Sequence, residues 1–509
     1  MHGGAGPCTS RNDHIFGGAV LLLALLAGCG ASSTQRDRAP GARAPAASLS
    51  PVRYDLVVDE DLARMRQTVC SEGPWTRQLV PIHAEGRARL VRAERVARDG
   101  TTSRIVPIEG GDPPFALPTA RLAPDDCVRL ELELAASGGG MNGCMAGDGF
   151  MVCATSAFVF AAEPWRPTAR HRVTVSLAEG HTMSPVFAHD EVGLYLDERS
   201  FRYVGYAAFG DLETLAVPVP GGCARLTVPS RSPLRESPHL VPWIARAGLA
   251  SAQITGLATA RDASITAVAL AARGPVLFGM AGRGVVPSVL LFATESPGPE
   301  IVDDWTLVHE LSHLAVPYVP AADAWLSEGL ATYYQEVLRA RAGMQSAEAA
   351  WRAIDDGLRR GAADGTGRSL REESRRMHAS RSYTRVYWAG AAIALLIDVA
   401  LRTRGLGSLD DRIARVSALR DRTLTADALV EALDGGDGVV REVVGRWLDD
   451  ERFPDVTPAY AALGLVRGPA GLALGGDGAL RAAVMNPRGD VASNGTCPTI
   501  PGPRTGHIE

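Results

Sequence analysis

Four residues in one stretch have the types and spacing to do chemistry together: His309, Glu310, His313 and Glu328, in HELSHLAVPYVPAADAWLSEGLATYY (309–334). Residues four apart project from one face of an α-helix about a turn from each other, so His309 and His313 present two imidazoles to one point. Neutral imidazoles at that spacing can hold a Zn²⁺ ion, with Glu310 beside the open coordination position as general base. A catalytic zinc needs a third protein ligand and keeps a fourth place for water. Glu328, at the start of the next helical pattern, is the candidate. The expectation is one zinc per chain on His309, His313 and Glu328, serving hydrolysis.

These residues need two helices joined by a short turn. Pro317 ends the first after Val316, and Asp323 can cap the second. The second runs to about Ala342 and stops at Gly343. Thr332, one turn beyond Glu328, is a candidate for orienting a ligand.

The run Asp323-Ala324-Trp325-Leu326-Ser327-Glu328-Gly329-Leu330-Ala331-Thr332-Tyr333 resembles the D-x-W-L-x-E-G-x-A-[ST]-Y signature of gluzincin aminopeptidases: the aminopeptidase N family and the bacterial glycyl-aminopeptidase-like peptidases. Farther on, Tyr387-Trp388-Ala389-Gly390, Leu395 to Arg402 and Ser408-Leu409-Asp410-Asp411 are similar to the Y-x-K-G…L-L-D-L-x-I-R…S-L-D-D run of the glycyl type, with Ala389 in place of the Lys. The resemblance implies a thermolysin-like catalytic domain, a peptide or protein substrate, and Tyr387 as the group that stabilises the oxyanion. It also implies that a strand upstream of the zinc helix lines the substrate. At that place Gly279, Met280, Ala281 and Gly282 precede Arg283, where relatives carry Gly-x-Met-Glu-Asn or Gly-Gly-Leu-Glu-His. The acid that grips a substrate's free amino group there is missing. Read without the resemblance, 279–284 is equally a Gly-rich loop between strands.

The composition excludes several classes. The chain has 509 residues, is 46% hydrophobic and carries a formal charge of −5 with no basic block, so it reads as globular and not as a nucleic-acid binder. All 52 basic residues are Arg, which rules out chemistry that needs lysine.

Residues 1–28 read as a signal segment, with Arg11 before a short apolar run from Ile15 to Gly28. Leu26-Ala27-Gly28-Cys29 looks like the lipobox of bacterial lipoproteins, which implies cleavage before Cys29, acylation there, and an exported protein held on a membrane by lipid. Gly30 after the Cys favours the outer membrane; an ordinary secretory signal is the alternative. Residues 29–50, rich in Ala, Pro, Ser and Arg, read as a flexible tether. Residues 51–233 alternate at period two between Pro- and Gly-rich turns, which predicts a β-sandwich-like domain. A catalytic domain is expected over 234–404, with strands at 264–270 and 287–293. Its very apolar helix through Leu401 contains Asp398 and reads as a core helix, not a membrane span. Residues 405–465 are expected to form a small helical region and 466–509 a weakly structured tail, too short for the PDZ module that glycyl-type relatives often carry. The predicted fold is therefore α+β and multidomain.

Eight cysteines fit export. With Cys8 in the signal and Cys29 as lipid site, six remain, and six allow fifteen pairings. Cys144 and Cys153 flank a Gly-rich loop and are expected to bridge locally; Cys70–Cys127 is the second expectation. The function these readings favour is a zinc metallopeptidase anchored outside the cytoplasm. The alternatives are a peptidase-like lipoprotein that binds without cleaving, and hydrolysis of a non-peptide amide at the same metal.

Overall fold

The computed structural model describes residues 51–497 except 137–139, 166–168, 255–258, 470, 490 and 492–494. The signal segment, the tether and Cys29 lie outside the described residues.

The N-terminal half is built of sheets. Its principal strands are β1 (Val52–Val58), β2 (Arg64–Ser71), β3 (Leu90–Val96), β4 (Cys127–Glu133), β5 (Phe150–Ala154), β6 (His171–Ser176) and β7 (Tyr206–Gly210). One eight-stranded sheet contains the consecutive neighbours β6-β1-β2-β4-β3, and two four-stranded sheets complete the half. In β1 the pattern predicts alternation, and Val52, Tyr54, Leu56 and Val58 are all buried. They share a core with Phe158, from the turn after β5, and with Phe160 and Phe209 from the smaller sheets. Two disulfides pin neighbouring strands, Cys70–Cys127 between β2 and β4 and Cys144–Cys153 across the hairpin into β5, as expected.

The second half opens with a five-stranded sheet: β8 (Leu212–Val219), β9 (Gly222–Pro229), β10 (Ser264–Leu270), β11 (Val276–Gly282) and β12 (Ser288–Thr294), in the order β8-β9-β10-β12-β11. The expected boundary at 233 is therefore corrected. β9 pairs in parallel with β10, and Val217, Val219, Leu226 and Val228 belong to the second core, so the division falls near Gly210. A pattern of alternating residues cannot tell which sheet a strand joins. The central pair β10 and β12 is parallel and buried on both faces, which accounts for its continuous apolar runs. Of the two readings of 279–284, the strand holds and the loop is corrected: Gly279 to Gly282 are the end of β11, an edge strand antiparallel to β12.

Helices α1 (Leu240–Ala252), α2 (Thr306–His313), α3 (Ala324–Arg341), α4 (Ala347–Ala363), α5 (Leu370–Ser380) and α6 (Tyr383–Thr403) follow. Two of them, α3 and α6, meet where neither has a side chain. A Cβ on Gly390 would run into the Trp325 carbonyl and come within 2.7 Å of Gly329 Cα. This close crossing sets Glu328 and Tyr387 side by side. As expected, α6 is a core helix, 78% of its most apolar window being buried.

Helices α7 (Leu409–Val416), α8 (Ala426–Asp434), α9 (Val439–Trp447) and α10 (Thr457–Leu463) make 405–465 helical, as expected, and they share the second core. Polar bonds tie them in. Asp398 accepts from Tyr333 Oη at 2.9 Å, Arg402 Nε at 3.0 Å and the Leu409 N–H at 2.8 Å. Asp410 accepts from Tyr334 Oη at 2.8 Å and Arg341 at 2.9 Å. Ser408 and Asp411 cap α7 reciprocally. The S-L-D-D motif is thus a capping box plus a buried anchor. The tail is corrected as well. A hairpin, β13 (Leu465–Gly468) and β14 (Gly471–Leu474), leads to α11 (Ala479–Met485), whose Val484 carbonyl accepts from buried Arg341 Nε at 2.9 Å. Cys497 is bonded to Cys223 in β9. Its local pattern is weak because its partners are distant in sequence.

Candidate metal centre

α2 carries His309, Glu310 and His313, and α3 carries Glu328. Asp304 Oδ1 accepts from the Thr306 N–H at 2.8 Å and so starts α2. Asp323 stands at the N-cap of α3 but makes no side-chain cap bond, contrary to expectation; Ser374 Oγ of α5 takes the Trp325 N–H at 3.1 Å instead. The ligand atoms of His309, His313 and Glu328 lie within 4.8 Å of one another. Glu328 Oε2 is 3.2 Å from His309 Nε2 and 3.5 Å from His313 Nε2.

The electrostatics ask for a cation at this point. Burial disfavours charge on His309, yet Glu328 and Glu310 outweigh it and raise its pKa. Burial opposes ionisation of Glu328 too, but the two imidazoles hold its carboxyl well below the ordinary range. The tautomer suits a metal. Gln335 Nε2 donates to Glu336 Oε1 at 3.0 Å, which turns its Oε1 towards His309 Nδ1 at 2.9 Å. Nδ1 therefore donates, and the Nε2 lone pair faces the other ligands. Two imidazoles and a carboxylate converging in this way fit Zn²⁺.

Gln335, two turns along α3 from Glu328, does the work expected of Thr332. The Thr332 hydroxyl is buried with no hydrogen-bond partner. The signal that could find Gln335 is its seven-residue spacing from Glu328, which puts both on one helix face. Behind it Glu336 accepts from Arg339 at 3.0 Å and Gln345 at 2.8 Å.

The ligands open into a cavity of about 350 Å³ whose lining includes Glu310, Tyr387, Trp305 and residues 277–281 of β11. Burial pushes the Glu310 carboxyl above its ordinary pKa, with the imidazoles pulling the other way. At Gly279 a Cβ would stand 2.8 Å from Glu310 Cγ and 2.9 Å from Thr306 Cγ2, so β11 packs on α2 only because the residue is glycine. Tyr387 stacks beside His309 with centroids 6.2 Å apart. Burial first, and then Glu328 and Glu310, raise its pKa well above 10, so the hydroxyl keeps a proton to donate. Tyr206 of β7 reaches the cavity from the N-terminal half and donates to Met280 Sδ at 3.4 Å.

Arg283 lines the cavity, but its charge is engaged. Its guanidinium donates to the Val316 carbonyl at 2.7 Å and to the His313 carbonyl, under the ring of Tyr318. It caps the end of the helix that bears both imidazoles.

No family model and no curated protein matches the chain. Among solved structures, it is similar to an aminopeptidase N family protein from Idiomarina loihiensis, with a TM-score of 0.64 at 12% identity over 82% of this chain and 78% of that one. A two-domain M1 zinc metallopeptidase variant bound to L-arginine matches with a TM-score of 0.50 at 16% identity, over 80% of this chain and 95% of that one. A variant bound to L-tryptophan matches with a TM-score of 0.50 at 14% identity, over 80% and 96%. The likeness is one of fold: mixed α+β, with several sheets and a C-terminal helical region.

Proposed function

We propose that this chain is a zinc-dependent metallopeptidase with a thermolysin-like catalytic half. The observation that carries the reading is the convergence of His309, His313 and Glu328 within 4.8 Å, beside Glu310 and above a cavity of about 350 Å³. Zinc bound there would polarise a scissile carbonyl and make water acidic near neutral pH. Glu310, its proton affinity raised by burial, accepts a proton from the attacking water and returns it to the leaving amine. Tyr387 donates a hydrogen bond to the developing oxyanion. Gln335 holds His309 in the ligating tautomer, and Arg283 fixes the end of α2.

Attachment to a membrane through acylated Cys29, and with it an extracytoplasmic address, belongs to the same proposal and rests on Leu26-Ala27-Gly28-Cys29 alone. Metal analysis beside a peptide-library digest tests the enzyme. About one zinc per chain and cleavage that disappears in Glu310→Gln are expected. A chain that retains zinc but cuts no peptide favours the binding-protein alternative. Cys29→Ser should leave the membrane fraction; if it stays there after a salt wash, the anchor is wrong.

A further inference from the structure

The cavity also speaks to which peptides enter it, an inference that rests on the peptidase reading. Among the described lining residues there are two carboxylates, Glu310 and Glu328. Glu328 is engaged by both imidazoles, and Glu310 is the base. An ammonium next to the scissile bond would therefore sit in the cavity with no free anion to pair it. Glu295 and Glu300, the first two acids after β11 in sequence, are exposed and do not line the cavity.

The wall formed by β11 is apolar instead. Leu277, Phe278 and Met280 line the space together with Tyr206, which bonds Met280, and Met377, while Gly279 has no room for any side chain. β11 is also the last strand of its sheet, paired through β12 on one side. Its outer edge runs along the cavity and can take an extended main chain as an added strand, which grips backbone on both sides of a bond.

We propose that the site accepts an internal or N-terminally blocked stretch of extended peptide, with an apolar residue beside the scissile bond, and does not read a free amino terminus. The test uses the full chain loaded with zinc. Two octapeptide libraries, identical except for N-terminal acetylation, are bound to Glu310→Gln and the bound members quantified. Acetylated and free forms should bind within about threefold of each other, far from the selectivity of a site built to pair a polar group. Loss of more than about a hundredfold on acetylation, or no binding of either form, overturns the inference. Digestion by the native chain separates the two readings. If both forms bind but neither is cut, the peptidase reading fails and this inference stands. If residues are clipped only from free N-termini, the peptidase reading stands and this inference fails.

Discussion

Gln335 Oε1 stands 2.9 Å from His309 Nδ1, so one face of α3 supplies both a candidate ligand, Glu328, and the group that orients a second candidate on α2. The two helices cannot shift against each other without disturbing the candidate metal centre twice. Replacing Gln335 by Leu keeps the volume and removes the acceptor, leaving a buried imidazole N–H unpaired. Zinc affinity, measured by competition with a chromophoric chelator, should fall by about 10- to 100-fold. Unchanged affinity would show that the bond only fills space.

Arg283→Met should act through the backbone of α2. It strands the His313 and Val316 carbonyls in a buried place, at a cost of about 2–4 kcal/mol for charge-assisted bonds. Both the thermal midpoint and zinc affinity should drop, and Arg283→Lys should restore part of each. A stable variant with unaltered zinc binding would rule out the capping role.

Tyr387→Phe separates chemistry from packing. The ring still stacks on His309, while the hydroxyl is lost. Single-turnover cleavage should slow by about 10²- to 10³-fold, as for other oxyanion donors, with zinc content unchanged. Should substrate binding weaken by the same factor as cleavage, Tyr387 is a binding group and not an oxyanion donor.

His171 gives the N-terminal half a pH dependence. Its Nδ1 accepts from the Val52 N–H at 3.2 Å inside the core, and burial pulls its pKa down to about 4. The unfolded chain takes up this proton below about pH 6.5, and the folded chain resists it until about pH 4. Stability is thus complete above the unfolded value and is lost as pH falls through that window, by up to about 3 kcal/mol. Urea midpoints of the native chain should fall between about pH 7 and pH 5 more steeply than those of His171→Gln, which does not titrate. Parallel slopes would refute the assignment.

Much of the site was legible because its spacing is local. His309 and His313 need only the helical repeat, and Gly343 marks a helix end by chemistry that acts within a few residues. The strand 264–270 was readable for a similar reason: a strand buried on both faces is an unbroken apolar run. Cys144 and Cys153, with one tight hairpin between them, belong to the same local kind.

What escaped was whatever depends on partners far along the chain. Helical spacing puts both Thr332 and Gln335 on the face of α3 that carries Glu328, and the crossing of α2 and α3 decides which of them reaches His309. β8 and β9 look like more of the N-terminal half until β9 is seen paired with β10. The tail looked unstructured because its anchors, Arg341 and Cys223, lie more than a hundred residues upstream. The sequence by itself determined the ligand types, their spacing on one helix and the absence of an acid at 279–283, since each is a property of neighbouring residues. Only the tertiary structure decided that Glu328 meets the two imidazoles, that the Arg283 guanidinium is engaged by the carbonyls at the end of α2, and that β11 offers its outer edge to the cavity. These are outcomes of close packing: the Gly329–Gly390 crossing and the contact of Gly279 with Glu310 fix distances that no local pattern encodes.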